Sequence, residues 1–226
     1  MKKIVFVISL YCLYLFFDYK LSIDSSFKMM DKISMSIRDF TSSNIKGKKL
    51  KEDVFPLNVP SHNAVSIMQE FNSKAMFYRE VSMNPTNLNN KANLRQIEHI
   101  VRLKLTEEEY IYDFDFEYFK FEKYIPIYIK DFSCIQCHSN YKVAPKKHIE
   151  MYGELNGFNY SLGDFYGVKH LSIDAKDFIF KNAIIIAIII AFYFNWNVFY
   201  RRWILPLFFI DHSTGAFNKN YYLKLI

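Results

Sequence analysis

Two kinds of apolar pattern alternate along this chain: unbroken runs near its ends and periodic, half-polar stretches between them. Lys2 and Lys3 precede the first run, Ile4 to Phe17. A basic start and a short apolar core have the form of a signal peptide, but Asp18, Tyr19 and Lys20 follow instead of a small-x-small cleavage site. An uncleaved anchor over residues 4–20 is the expectation. Phe27, Met30, Ile33, Ile37 and Phe40 then recur at spacings of three and four, which predicts a helix. With the Lys-rich break from Lys46 to Lys51, residues 21–55 read as a membrane-proximal helix and linker. Pro60 opens a second predicted helix, with Ser61 as its N-cap and Val65, Met68, Phe71 and Ala75 on its apolar face.

The middle of the chain changes period. Met76 to Val81 predicts a strand, and Asn84 to Asn93 is a loop rich in Asn. Leu94, Ile97, Ile100 and Val101 predict a helix over Ala92 to Leu103. From Tyr110 to Phe121 aromatics alternate with Asp, Glu and Lys, the signature of a half-buried strand or hairpin. Lys123 to Ile129 alternates again across Pro126, and Phe165 to Ile173 reads as a last strand.

The second unbroken run extends from Phe178 to Tyr200, and Ala183 to Phe194 contains no charge. Trp196, Tyr200 and Trp203 suit an interface, with Arg201 and Arg202 beside them. A membrane helix over 178–203 is predicted. Both basic ends should stay in the cytoplasm. Residues 21–177 would then lie on the periplasmic side of a bacterial inner membrane, between two transmembrane helices.

Composition narrows the function. The 226 residues suit one medium domain with accessory segments. The net charge of +6 comes from scattered lysines, with no basic helix and no aromatic-interleaved stripe, so no nucleic acid partner is expected. Cys12 lies in the first apolar run, while Cys134 and Cys137 are three residues apart and followed at once by His138. Three cysteines so placed are not a disulfide framework.

The run Cys134-Ile135-Gln136-Cys137-His138 has the spacing for covalent haem attachment. Two thiols add to the two vinyl groups, and the adjoining imidazole reaches the iron as proximal ligand. A CxxC redox pair and a structural zinc with His148 as fourth ligand are the competing readings. An extracytoplasmic position favours thiols consumed in thioether bonds. For the opposite axial position His62 is the first candidate, because it follows Pro60-Ser61 on a helix whose other face is apolar. His99, His148, His170, Met68, Met76 and Met83 remain open, with His170 read as facing solvent beside Val168.

Four stretches carry a resemblance that extends from Pro60 to Asp177. They are Phe77 to Asn87, containing Asn84-Pro85-Thr86-Asn87; Tyr124-Ile125-Pro126-Ile127; Cys134 to Ser139; and Tyr152 to Phe158 with Gly163 to Gly167. In this order they resemble the DUF3365 or Tll0287-like c-type haem sensor domain. The resemblance implies an α/β (α+β) domain over 56–177, with a PAS-like antiparallel sheet, flanking helices and haem between them. It also implies a sensory role in membrane receptors. Lys123-Tyr124 stand where the family has a small residue and Arg, and a distal Cys used by some relatives has no counterpart outside the first apolar run. Asp211 to Tyr222 resembles the opening of a GGDEF diguanylate cyclase domain, which would make 204–226 a truncated cytoplasmic start of such a module.

The expected function is therefore a membrane-anchored sensor carrying haem c and its iron. It would respond to redox state or a small gaseous ligand, and a homodimer fits receptor architecture. No enzyme activity is expected, since the chain as given lacks a complete catalytic domain. A membrane-anchored electron-transfer cytochrome is the alternative.

Overall fold

In the computed structural model, which describes residues 2–45, 55–57, 59–71 and 76–204, the period-two stretches form one antiparallel sheet. Its strands are β1 (Met76–Val81), β2 (Ile111–Asp115), β3 (Lys120–Tyr128) and β4 (Phe165–Asp174), in the order β1-β4-β3-β2. The aromatic stretch is the β2–β3 hairpin, with Ile111 opposite Tyr124. Tyr124 in turn faces His170 of β4, and Tyr78 of β1 faces Leu171. Pro126 lies on β3 past the last residue paired with β2, an edge position where a missing N–H is tolerated.

Helices cover both faces. Those packed on it are α1 (Lys2–Ile45), α2 (Pro60–Phe71) and α3 (Leu94–Thr106); the chain also forms α4 (Phe132–His138), α5 (Lys146–Tyr152) and α6 (Lys176–Phe199). On one face Ile23, Phe27 and Met30 of α1 pack with Met68 of α2, Tyr78 and Leu171. On the other, Ile100 and Leu103 of α3 pack with Val81, Ile111, Tyr124 and Val168. Each large apolar side chain so buried contributes about 1.5–3 kcal/mol. The mixed α/β class with a flanked antiparallel sheet is thus as the sequence predicts.

Three local readings change. The N-terminal apolar run and the amphipathic segment are one continuous helix, α1, whose second half supplies part of the core. Its buried stripe also differs: Phe40 is 71% exposed, while Ser34 and Thr41 are buried. Their hydroxyls are satisfied by the helix backbone at Asp31 O and Ile37 O, so burial costs them little. Helix α3 begins two residues later than the apolar pattern suggests, because Asn93 and Gln96 form a capping box that fixes its start. Leu94 is consequently 87% exposed. Finally, α2 begins at Pro60 itself, placing Ser61 inside the helix.

The chain divides into a unit of residues 19–176, containing the sheet, and a second unit of residues 1–18 and 177–226. Within the second unit Tyr11 Oη donates to Asn182 Oδ1 at 3.4 Å. Among the described residues one helix, Phe178–Ile204, is long and apolar enough to cross a membrane. The Asp211–Tyr222 stretch lies outside the described residues.

Candidate functional site

Helix α4 exists because Asp131 caps it. The Asp131 carboxylate accepts from Ser133 N at 2.8 Å and Cys134 N at 3.3 Å, satisfying donors that a helix start leaves free. On a helix, positions three and four apart share a face. Cys137 and His138 therefore lie on the Cys134 face, and all three line one cavity of 370 Å³. Arg38 of α1, His62 of α2, Glu80 of β1, His148 of α5 and Tyr166 of β4 line it too. Burial, with Cys134 nearby, pushes the Cys137 thiol up to about 12.

His138 is clamped. Its Nδ1 lies 2.8 Å from Gly157 O and 3.5 Å from Thr86 Oγ1. A carbonyl only accepts, so Nδ1 carries the proton and Nε2 keeps its lone pair. Burial holds the imidazole below its ordinary range, despite the Gly157 carbonyl. The neutral ring is the form a metal binds. Tyr166 packs on it at 4.7 Å, and Tyr160 N donates to His138 O at 3.0 Å.

The flanking loops make this clamp. Gly157 has φ +79°, and a Cβ there would lie 2.2 Å from Thr86 Oγ1. Only glycine allows both that backbone and that approach. Gly167 likewise presses on β1, where a Cβ would lie 2.4 Å from Val81 O. The Asn84-to-Asn87 loop and the glycine-rich ending therefore meet around His138.

A buried ion pair forms part of the wall. Arg38 Nε donates to Glu80 Oε1 at 3.1 Å, and a second guanidinium nitrogen bonds Oε2. Tyr78 Oη donates to Glu80 Oε1 at 2.7 Å. Burial opposes the Arg38 charge, but the adjacent Glu80 carboxylate more than restores it. Lys123, by contrast, is not in the cavity wall: its Nζ lies 3.1 Å from Tyr112 Oη and 4.2 Å from the centre of the Tyr110 ring.

The other axial candidates separate cleanly. His170 is buried, not solvent-facing. Its Nε2 pairs with Glu122 at 2.9 Å and its Nδ1 with Gln96 at 3.2 Å. His99, on α3, bonds Asp113 of β2 at 2.8 Å. Met68 is core, Met76 packs against that core, and Met83 is exposed. His62 and His148 remain in the cavity wall. His62 Nε2 is 3.4 Å from Ser66 Oγ. Burial beside His138 holds His148 down at about 4.

Two thiols and an imidazole on one helix face, a clamped His138 tautomer and a cavity wall that mixes Phe55, Tyr128, Tyr152 and Tyr166 with aliphatic and polar side chains fit a covalently attached haem. Among the described residues no three His, Cys, Asp or Glu converge to hold a bare metal ion, which weighs against the zinc reading. Sequence reasoning did not identify Arg38, Thr86 or the Gly157 carbonyl. The Asn-Pro-Thr-Asn and Asn-Gly-Phe motifs were the available signals for Thr86 and Gly157; nothing in the sequence marked Arg38.

The family model described as Tll0287-like matches residues 20–174. Among solved structures, the fold is similar to that of the cyanobacterial haem protein Tll0287, with a TM-score of 0.53 and 15% identity. The likeness covers 70% of this chain and 95% of that one. No curated protein matches the chain.

Proposed function

The chain belongs to the Tll0287-like family, and on that premise we propose that it is a membrane-anchored, extracytoplasmic haem c sensor. Cys134 and Cys137 hold the haem covalently, and His138 is the proximal ligand to its iron. The clamp on His138 carries this reading: Nδ1–H is committed to Gly157 O at 2.8 Å, so Nε2 keeps its lone pair, and both thiols line the same cavity. That a similarly folded protein is a haem protein supports it.

When bound, the haem supplies an iron whose coordination and oxidation state respond to redox conditions or a small gaseous ligand. Gly157 and Thr86 orient the His138 ring, and Tyr166 packs on it. Arg38 and Glu80 keep a charge pair in the cavity wall. Since Arg38 belongs to α1, rearrangement of this wall bears on a helix continuous with the N-terminal apolar run.

The Phe178–Ile204 helix supports membrane anchoring. The Ile4-to-Phe17 run is the proposed second anchor, with both basic ends cytoplasmic. The output is a cytoplasmic GGDEF-like module opening at Asp211-to-Tyr222, and the working form is a homodimer.

Expression of the full chain with a c-type maturation system, followed by a pyridine haemochrome spectrum, tests the core of this reading. The wild type should hold haem covalently and the Cys134→Ala, Cys137→Ala double variant should not. Covalent haem in the double variant overturns it. A difference spectrum indifferent to redox state, carbon monoxide and nitric oxide overturns the sensing role.

A further inference from the structure

His148 is 4% exposed, and neither of its ring nitrogens has a hydrogen-bond partner. A buried polar group left unmet is costly, so such a residue calls for an explanation. Its surroundings are rings: Phe55 at 5.8 Å, Tyr152 at 5.3 Å and Phe158 at 5.9 Å. It nevertheless lines the same cavity as Cys134, Cys137 and His138.

The spacing to His138 is informative. The two ring centres lie 6.3 Å apart, with planes at 86°. Two imidazoles on opposite sides of one metal ion, each bonded at about 2 Å, place their ring centres roughly 6 Å apart. His62 lines the cavity as well, but it is less buried and its Nε2 faces Ser66 Oγ at 3.4 Å.

Building on the haem c reading above, we infer that His148 is the displaceable sixth ligand of the iron. The asymmetry with His138 decides which bond yields. A ligating histidine is normally oriented and made more basic by an acceptor at its other nitrogen. His138 has the Gly157 carbonyl; His148 has none. A small neutral ligand therefore replaces His148 rather than His138.

The full chain, matured with haem, is compared with His148→Ala and His62→Ala by visible and EPR spectroscopy and by carbon monoxide binding. A pyridine haemochrome assay first establishes that each carries covalent haem; its absence from the wild type sinks the haem reading and this inference together. With haem present, the wild type should be low-spin, with a carbon monoxide rate that saturates because His148 must leave first. His148→Ala should lose the low-spin signal and the saturation, and added imidazole should restore the low-spin spectrum. A high-spin wild type, a low-spin His148→Ala without imidazole, or loss of the low-spin signal in His62→Ala alone overturns the inference and leaves the haem reading standing.

Discussion

Two buried histidines, His170 and His148, sit in opposite chemical situations. His170, on the α3 face of the sheet, is saturated: Glu122 and Gln96 take its two nitrogens, and its ring stacks on Tyr124 at 4.7 Å with planes 6° apart. The surrounding network extends through Arg95, Asp113 and His99. His148, in the cavity, is equally buried and has no polar partner. Nearby, Arg38 and Glu80 pair with each other through two hydrogen bonds. A satisfied buried network specifies a structure. An unsatisfied group in a cavity is open to a ligand. Burial alone therefore does not distinguish the two roles; the count of hydrogen bonds does.

The strongest way to break this comparison is to unpair a charge. Glu80→Ala leaves the buried Arg38 guanidinium without its carboxylate, and urea unfolding should show a loss of about 3–5 kcal/mol. A loss below about 1 kcal/mol would show that water reaches Arg38 and that the pair is a surface pair.

A matched substitution sharpens it next. His170→Phe removes the partner of Gln96 Nε2 and of one Glu122 oxygen and should cost about 1–3 kcal/mol. His148→Phe removes no hydrogen bond, so haem-free protein should change by less than about 1 kcal/mol. Equal losses at the two positions would remove the distinction drawn here.

The smallest effect concerns acid. Burial raises the Glu122 carboxyl, but His170, Tyr124 and the Arg95 charge together bring it below its ordinary range. A carboxylate depressed in the folded state stabilises above its unfolded value, about 4.3, and that contribution fades as pH falls through the lower folded value. Comparing urea midpoints of wild type and Glu122→Gln, the gap at pH 7, about 1 kcal/mol or more, should shrink towards pH 3. A gap constant with pH would mean that Glu122 acts by shape and not by charge.

Much of this was legible in the sequence where side-chain period decides structure. The alternation across the β2–β3 hairpin names strands directly, because strand faces alternate whatever the topology. The CxxCH spacing was legible for the same reason, since Cys134, Cys137 and His138 lie within one helical segment. Arg38 was not: its place depends on Glu80, 42 residues away. The stripe through Ile33 and Phe40 failed because that distant carboxylate, together with backbone-satisfied Ser34 and Thr41, lets the polar side of α1 turn inward. His170 was misplaced because alternation tells which residues share a face and not whether α3 covers it. His148 was one histidine among several until its lack of partners could be counted.

The clamp on His138 also has a bearing on the order of folding. Thr86 follows β1, and Gly157 precedes β4; β1 and β4 are sheet neighbours from opposite ends of the domain, with Met76 opposite Ile173. Pairing so distant in sequence closes a long loop and is slow to form. Before it closes, α4 can present its cysteines, but nothing fixes the tautomer of His138. On the haem c proposal, attachment of the group and completion of its ligand field would be separable events, the second open only to a chain whose sheet has shut.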